Sequence, residues 1–365
     1  MSIAQNIQIS SQLAGAVMNR RLSYLIIFIT AKCNLLCSHC FYTEEILKAK
    51  SKKELTLDEY EKIARQAGTL TNVNFTGGEP FIRPDLADVV HLFRRYAKVP
   101  FVGITTNGLL RRQILEGVEK IVSQKGPAYL KLGVSLDGFR EVHDRVRNRV
   151  GSFEEAVKTI HALEPLRKRF PHLMVYVSTT LTKYNKADIL PFIDFVRNEV
   201  PVDAHYLGYI RGIPMEQEAK EVTLDEYRQA TRHLQNSWNM KNPFFNILNL
   251  TNNLMLSVNQ RIIEKNEYVM PCVAGEKMLT ITEEGFVKPC EVLEQIGISP
   301  YIMGNLRDHD YDLYQVLGTP AAREIRRKIL DDRCFCTFEC ANQASIAFKL
   351  PNLVKAASVH FLNRS

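Results

Sequence analysis

The chain has 365 residues, 45% hydrophobic and 24% charged, which is the composition of a globular protein with one large domain or two smaller ones. Its formal net charge is +7, but the basic residues come in scattered pairs without aromatic residues between them, which excludes a nucleic-acid groove; examples are Lys52-Lys53, Arg94-Arg95, Arg111-Arg112 and Arg326-Arg327. No apolar run reaches the length of a membrane span, and Leu25 to Ile29 is too short for a signal-peptide core, so we expect a cytoplasmic protein.

The first 30 residues predict a helix followed by a strand. Residues 1–22 are polar to mildly amphipathic, and Leu13, Val17 and Met18 fall near helical spacing, which favours a short N-terminal capping helix. The continuous apolar run from Tyr24 to Thr30 then predicts the first strand.

Three cysteines follow this strand in a tight loop, Cys33-Asn34-Leu35-Leu36-Cys37-Ser38-His39-Cys40, and the aromatic Phe41 comes next. Three thiolates at this spacing can hold three corners of a cubic [4Fe-4S] cluster, which normally has four cysteine ligands. The fourth iron is then open, and an open metal position can bind a small chelating molecule. A structural zinc site with His39 or a distant cysteine as fourth ligand is the alternative. A disulfide framework is less favoured, because a chain of this length can bury an ample core without disulfide cross-links.

Strands and helices then alternate along the chain. Thr56 to Glu59 has the form of a capping box, and Tyr60, Ile63 and Ala64 continue with a helical period. Further strands are predicted at Asn72 to Thr76, Phe101 to Thr106, Tyr129 to Leu136, Leu173 to Leu181 and Ala204 to Ile210. This alternation predicts βαβ units with right-handed crossovers, and therefore an α/β protein with six parallel strands.

Glycine-rich or polar turns follow several of these strands. The second strand ends in Thr76-Gly77-Gly78-Glu79-Pro80, whose glycines permit close backbone approach and whose carboxylate can accept from an ammonium group. The third ends in Thr105-Thr106-Asn107-Gly108, a turn by composition. The fourth ends in Ser135-Leu136-Asp137-Gly138, with Arg147 downstream, and a simple turn before a solvated charged stretch is the alternative interpretation. Tyr209 and Arg211 close the sixth strand.

The second half of the chain predicts helices and then a second cysteine group. Residues 216–268 read as two helices joined around 242–243, which would form a bridge or a lid over the substrate. Cys272 and Cys290 lie at the two ends of a predicted β-hairpin that turns at Glu283-Glu284-Gly285. Two helical patterns follow, and the last cysteines are Cys334, Cys336 and Cys340.

The cysteine loop, the GGEP turn some forty residues later and the SLDG segment together resemble the radical S-adenosylmethionine (radical SAM) superfamily over most of the chain. The resemblance implies that the six strands form a partial (β/α)6 TIM-like barrel with its chemistry at the carboxyl ends of the strands. It also implies that Cys33, Cys37 and Cys40 hold a [4Fe-4S] cluster whose open iron binds S-adenosylmethionine.

The same resemblance implies a set of cofactor-binding residues. The GGEP turn would bind the methionine amine, and the TTNG turn would line the cofactor pocket. The SLDG segment would lie near the ribose and the methionine carboxylate. Arg147, whose guanidinium can hold a carboxylate through two hydrogen bonds, is the candidate partner of that carboxylate. The full set is Gly77, Gly78, Glu79, Thr106, Asn107, Ser135, Asp137 and Arg147.

The distal cysteines resemble the SPASM or Twitch auxiliary-cluster domain, because twelve residues separate Cys272 from Gly285 and four separate Gly285 from Cys290. Five distal cysteines exceed the four ligands of one cubic cluster and fall short of the seven of a two-cluster SPASM domain. We therefore predict one auxiliary [4Fe-4S] cluster, with a structural zinc site as the alternative. The predicted ligands are Cys272, Cys290, Cys334 and Cys340.

One distal thiol is then spare, and the spacing does not show which. Cys336 is the candidate, because it lies between two expected ligands and is flanked by Phe335 and Thr337. A spare thiol beside the substrate would be a catalytic hydrogen-atom donor, since its S–H bond is weaker than most C–H bonds, and the enzyme would be an epimerase. The alternative is a small buried hydrophobe.

The resemblance implies an enzyme that cleaves S-adenosylmethionine reductively to a 5'-deoxyadenosyl radical, which abstracts hydrogen from substrate. We expect a small metabolite (a sugar, amino sugar or alcohol), because residues 1–22 are too short for a peptide-recognition domain. Maturation of a ribosomally made peptide and a non-catalytic scaffold are the alternatives. The expected partners are the small-molecule substrate and an electron donor such as flavodoxin or ferredoxin.

The expected domains are a capping segment, a radical SAM core, a helical bridge, an auxiliary-cluster domain and a tail. Their predicted ranges are 1–22, 23–215, 216–268, 269–345 and 346–365.

Overall fold

The structure is a computed structural model, and it describes residues 3–19, 21–124, 129–237, 243–297 and 299–362. Within these ranges the strands are β1 (Tyr24–Thr30), β2 (Asn72–Gly77), β3 (Phe101–Thr106), β4 (Tyr129–Ser135), β5 (Leu173–Leu181), β6 (Ala204–Tyr209), β7 (Met278–Ile281), β8 (Phe286–Lys288) and β9 (Gly304–Asn305). The helices of the first half are α1 (Ile3–Met18), α2 (Thr43–Leu47), α3 (Leu57–Gln66), α4 (Leu86–Tyr96), α5 (Arg111–Ser123), α6 (Arg140–Arg147), α7 (Ser152–Arg169) and α8 (Ile189–Glu199). Those of the second half are α9 (Leu224–Ser237), α10 (Pro243–Lys265), α11 (Leu313–Leu317), α12 (Pro320–Asp331), α13 (Glu339–Phe348) and α14 (Leu350–Leu362).

The first six strands form a parallel sheet in the order β6-β5-β4-β3-β2-β1, and helices connect each strand to the next. Every residue of β1 is buried, as expected for a strand that is covered on both faces. The capping box before α3 is confirmed, because the Glu59 amide donates to Thr56 Oγ1 and the Thr56 amide donates to Glu59 Oε2. The predicted α/β partial barrel is confirmed, with each strand boundary within one residue of its expected position.

The predicted hairpin is also present, and it extends the same sheet. Strands β7 and β8 pair antiparallel, and Gly285 takes the positive φ of +86° that their turn needs. Strand β7 lies parallel to β1, so the order of the described sheet continues β1-β7-β8-β9. The sheet therefore runs across the domain boundary that the sequence predicts at residue 269.

Two helices fill the predicted bridge. They are α9 and α10, and their predicted junction around 242–243 lies in part outside the described residues. Helix α10 packs against α13 and α14, so the predicted tail contains a helix that completes this layer. The Lys277 ammonium anchors the end of α1 by donating to the carbonyls of Ala16 and Asn19. None of the helices described here is both long and apolar enough to cross a membrane.

Candidate active site

A cavity of about 650 Å³ opens at the carboxyl ends of the barrel strands and continues into the barrel. Its lining includes the three proximal cysteines and seven of the eight predicted cofactor-binding residues; these are Cys33, Cys37, Cys40, Gly77, Gly78, Glu79, Thr106, Asn107, Ser135 and Arg147. Asp137 is fully buried and does not line the cavity. Motifs that are spread between residues 33 and 147 of the chain therefore meet at one cavity.

Hydrogen bonds from three other parts of the fold hold the cysteine loop. The Ser38 amide donates to the carbonyl of Val146 at 2.9 Å, and the Glu216 amide donates to the Ser38 carbonyl at 2.8 Å. Asn107 Nδ2 donates to Asn34 Oδ1 at 2.7 Å. Because these partners belong to α6, the segment after β6 and the turn after β3, the position of the thiols depends on the folded barrel.

The GGEP turn packs directly against the backbone that leads into the cysteine loop. The Gly78 amide donates to the carbonyl of Thr30, and the Glu79 amide donates to that of Lys32, both at 2.8 Å. A Cβ on Gly78 would lie 2.1 Å from the Lys32 carbonyl oxygen, and one on Gly77 would lie 2.4 Å from that of Thr30. Both positions therefore require glycine for this close approach.

We expect Gly78→Ala to destabilise the metal-free protein by about 1–3 kcal/mol, because the new methyl group forces two backbone segments apart. Thermal or denaturant unfolding measures the change. Gly15→Ala on α1 is the matched control, since its nearest neighbour would lie 3.8 Å away and alanine favours a helix. Equal stability of Gly78→Ala and wild type would show that the turn does not pack as described.

Glu79 is almost fully buried, and three donors from the site hold its carboxylate. Oε1 accepts from Thr106 Oγ1 at 2.8 Å and from the Phe81 amide at 3.2 Å, and Oε2 accepts from the Asn107 amide at 2.8 Å. Burial raises the pKa of Glu79 to about 7, although these donors oppose the shift. A carboxylate fixed at the cavity wall with acceptor capacity left on Oε2 can receive an ammonium group.

This raised pKa predicts a pH dependence of stability. Since the folded-state pKa of Glu79 lies above the usual 4.5, its contribution to stability is present below pH 4.5 and is lost as the pH rises through about 7. The loss amounts to about 3 kcal/mol for this shift. We expect Glu79→Gln to remove this loss. The unfolding free energy of the variant minus that of wild type should therefore be larger at pH 8 than at pH 5. A pH-independent difference between the two proteins would contradict the assignment.

Arg147 and Asp137 form a buried ion pair beside the cysteine loop. The Nη2–Oδ2 distance is 2.6 Å, and Nη1 donates to Cys37 Sγ at 3.7 Å. Burial alone would raise the pKa of Asp137, but the guanidinium holds it below its usual value. Asp137 also accepts from the Thr180 amide at 3.0 Å. Asp137 thus orients Arg147, and Arg147 lines the cavity, whereas the sequence places both side chains at the cofactor.

Backbone amides point at the sulfurs of five cysteines. In each case the donor is the amide two residues further along the chain, at distances of 3.4 Å for Tyr42 to Cys40 and 3.5 Å for Ala274 to Cys272. The other acceptors are Cys33, Cys290 and Cys336, which accept from Leu35, Val292 and Phe338. Such donors stabilise negative charge on sulfur, so they suit thiolates that bind an iron-sulfur cluster.

Four of the five distal cysteines influence one another electrostatically. Burial is the main cause that raises the pKa of Cys290, and the thiols of Cys336, Cys272 and Cys334 raise it further. Cys334 is affected in the same way by Cys272 and Cys336. Four neighbouring thiols match the four ligands of one cubic cluster.

Cys340 lies apart from this group. It is the second residue of α13, lines the main cavity and shares a hydrogen bond with the hydroxyl of Tyr24. Its charged neighbours are Glu291, Arg211 and Glu339 rather than other thiols. We propose from these contacts that Cys336 is a cluster ligand and that Cys340 is the spare thiol, the reverse of the assignment predicted from the sequence, because Cys340 lies at the start of α13 and lines the cavity.

Arg211, two residues after β6, joins the two cysteine groups. Its guanidinium pairs with Glu339 at 2.9 Å and with Glu291 at 3.1 Å. It also stacks 5.0 Å from the ring of Phe41, which follows Cys40, and 4.8 Å from the ring of Phe338. Because Glu291 and Glu339 are each adjacent to a distal cysteine, this arginine fixes the auxiliary region against the barrel.

Family models match both cysteine regions of the chain. Residues 27–196 match the radical SAM superfamily, and residues 272–341 match the SPASM iron-sulfur cluster-binding domain. The chain is a radical SAM protein with a SPASM domain. These two domains bring a [4Fe-4S] cluster that binds S-adenosylmethionine and an auxiliary iron-sulfur cluster, and the amide-to-sulfur contacts described above fit both.

Curated relatives of this radical SAM protein match about half of it. Fe-coproporphyrin III synthase of Methanosarcina barkeri is 30% identical over 207 residues, which are 55% of this chain and 48% of that protein. GTP 3',8-cyclase of Clostridium perfringens is 27% identical over 191 residues, 52% of this chain and 55% of the cyclase. Molybdenum cofactor biosynthesis protein 1 of Drosophila melanogaster is 29% identical over 195 residues, which cover only 32% of its length.

Solved structures share the fold over more of the chain. Streptococcus suis SuiB bound to S-adenosylmethionine superimposes with a TM-score of 0.60 at 18% identity, covering 88% of this chain and 72% of SuiB. The structure of anSMEcpe with bound AdoMet and Cp18Cys peptide gives a TM-score of 0.57 at 15% identity, covering 93% and 96% of the two chains. At these identities the likeness concerns the fold.

Sequence reasoning missed the residues that line the interior of the barrel below the cofactor-binding residues. These include Tyr24, Asn74, Lys131, Tyr176 and Tyr206. Their signal is the alternation of polar and apolar residues along the strands, as in Tyr129-Leu130-Lys131-Leu132, where every second side chain faces the barrel interior.

Proposed function

We propose that this radical SAM protein is an enzyme that removes a hydrogen atom from a small metabolite, such as a sugar, amino sugar or alcohol, and oxidises or epimerises it. The observation that carries the proposal is the single cavity that joins the three proximal cysteines, Glu79 and Arg147 to a polar barrel interior. When bound, the cluster and S-adenosylmethionine supply a 5'-deoxyadenosyl radical that abstracts hydrogen.

The residues of the chain then have distinct roles. Cys33, Cys37 and Cys40 would hold the cluster, Glu79 would accept from the methionine amine, and Arg147, oriented by Asp137, would bind the methionine carboxylate. The Gly77 and Gly78 positions keep this wall close to the cysteine loop. The surrounding barrel excludes water from the reacting atoms.

The size of the cavity favours a small substrate over a long peptide. Residues of α10 and α13 complete its wall, including Met255, Gln343 and Ala344. A volume of about 650 Å³ is in the range of small-molecule sites. The curated relatives bear the names of a GTP cyclase and a coproporphyrin synthase, which accords with a small substrate. Flavodoxin or ferredoxin is the proposed electron donor.

The proposal predicts that anaerobically reconstituted protein forms 5'-deoxyadenosine when S-adenosylmethionine and dithionite are added, as measured by mass spectrometry. The variant Cys33→Ala should form none, because its cluster lacks one of three ligands. A cell extract separated by size should raise the rate in its small-molecule fraction. Stimulation by the peptide fraction alone would favour peptide maturation, and no product from protein that holds both clusters would favour the scaffold alternative.

A further inference from the structure

Several polar side chains line the interior of this barrel, whereas closed TIM barrels fill theirs with branched aliphatic side chains. Tyr24, Asn72, Asn74, Tyr176 and Tyr206 all line the cavity below the cysteine loop. Asn72 Nδ2 donates to Asn74 Oδ1 at 3.1 Å, and Asn74 Nδ2 donates to the Tyr24 hydroxyl at 2.6 Å. A chain of hydrogen bonds therefore runs from β2 to β1 inside the barrel.

Two glycines make room for this polar lining. A Cβ on Gly103 would lie 2.2 Å from Asn74 Oδ1, and one on Gly133 would lie 2.5 Å from the ring of Tyr176. Side chains at these two positions would displace Asn74 and Tyr176. The interior is thus shaped by residues on neighbouring strands to keep polar groups at the cavity wall.

Lys131 is the cation of this interior. It is the third of the seven residues of β4, in register with Gly103 on β3 and Met174 on β5, and its side chain lines the cavity. Its ammonium lies 5.7 Å from the centre of the Tyr206 ring. In the described ranges no carboxylate lies within ion-pair distance of this ammonium, and the ammonium donates no hydrogen bond to another described residue.

The absence of an acidic partner is notable because an ammonium loses much of its hydration inside a barrel. An aromatic ring replaces only part of that hydration. The acidic groups of the cavity are engaged elsewhere, since Glu79 is held by the turn after β3 and Glu339 is paired with Arg211. Burial lowers the pKa of Lys131, and among the described residues the thiol of Cys340 is the neighbour that opposes this shift. The interior therefore offers a cation without a counter-ion at the wall opposite the cysteine loop.

We propose that Lys131 anchors an oxyanion of the substrate, a carboxylate or a phosphate, at the bottom of the cavity. The hydroxyl of Tyr206 and the side-chain amide of Asn72 also line the cavity and can bind the polar remainder of such a molecule. The inference rests on the proposed function, because it assigns the chemistry of the substrate for that same cavity. It narrows the expected metabolites to acidic ones, such as a sugar acid or a sugar phosphate.

The test uses the reconstituted protein with S-adenosylmethionine and follows its unfolding midpoint at increasing sodium phosphate or sodium succinate. Sodium chloride at equal ionic strength and neutral succinamide are the reference additions. Lys131→Met removes the charge with little change in volume, and Lys120→Met, on the outer helix α5 beside Asp88, is the matched control. Lys131→Arg keeps the charge if the methionine variant does not fold.

We expect at least one oxyanion to raise the midpoint of wild type and Lys120→Met. In Lys131→Met, the oxyanion concentration that gives the same rise in the unfolding midpoint should be about ten- to a hundredfold higher, as for a lost charge-assisted hydrogen bond. A response to phosphate alone, or to succinate alone, identifies the oxyanion. The same response in Lys131→Met and wild type, or none in wild type, would overturn the inference. Formation of 5'-deoxyadenosine by wild type tests the proposed function separately.

Discussion

Replacing Cys336 with alanine should remove about four of the eight irons of the reconstituted protein, because two cubic clusters carry four irons each and Cys336 is inferred to be a ligand. Replacing Cys340 should leave all eight irons in place, since its thiol shares a hydrogen bond with the Tyr24 hydroxyl and lines the cavity. Iron and sulfide analysis of the two variants, purified and reconstituted side by side, measures the difference.

These two cysteines are a matched pair, because they lie four residues apart and the same substitution is made in each. Circular dichroism of both variants checks that the SPASM region remains folded. Loss of four irons from Cys340→Ala with full loading of Cys336→Ala would restore the ligand set predicted from the sequence. If Cys336→Ala bound all eight irons, Cys336 would not be a cluster ligand and would be the spare thiol, as predicted from the sequence.

Replacing Arg147 with leucine should destabilise the protein by about 3–5 kcal/mol at neutral pH, because it leaves the buried Asp137 carboxylate without its partner. Arg145→Leu is the control on the same helix, since Arg145 is half exposed and its pair with Glu216 is worth about 1 kcal/mol or less. Denaturant unfolding of the metal-free proteins measures both changes.

The pH dependence distinguishes this pair from a simple packing defect. In wild type the pKa of Asp137 lies below its usual value, so the stability that the pair provides is present at neutral pH and is lost as the pH falls through that lowered pKa. The cost of Arg147→Leu should therefore shrink towards pH 4, where the orphaned carboxylate can take up a proton. Adding Asp137→Asn should recover part of the loss at pH 7. A cost that is independent of pH would contradict the ion pair.

The sequence predicted the barrel well because its signals are local. Continuous apolar runs such as Tyr24–Thr30 mark buried strands, and the Thr56 and Glu59 pair marks the start of a helix. The proximal site also follows from local motifs, since parallel strands bring their carboxyl ends to the same edge of the sheet. The loop around Cys33 and the turn around Gly78 were therefore expected to meet.

The remaining features depend on contacts between distant parts of the chain. The pairing of β7 with β1 joins residues more than 250 positions apart, and no turn or period in the sequence indicates it. The spacing of Cys336 and Cys340 does not show which of them is a ligand, and the start of α13 separates them in space. The partner of Arg147 was missed because a guanidinium fork suits the carboxylate of Asp137 as well as that of a cofactor.

The most direct test of the account is the electron paramagnetic resonance spectrum of the dithionite-reduced protein with and without S-adenosylmethionine. We predict about eight irons in wild type, the signals of two [4Fe-4S] clusters, and a change in one signal when S-adenosylmethionine is added. The triple variant Cys33→Ala, Cys37→Ala, Cys40→Ala should keep about four irons and a signal that S-adenosylmethionine does not alter. Tightly bound zinc with only four irons in wild type, or a wild-type spectrum insensitive to S-adenosylmethionine, would contradict it.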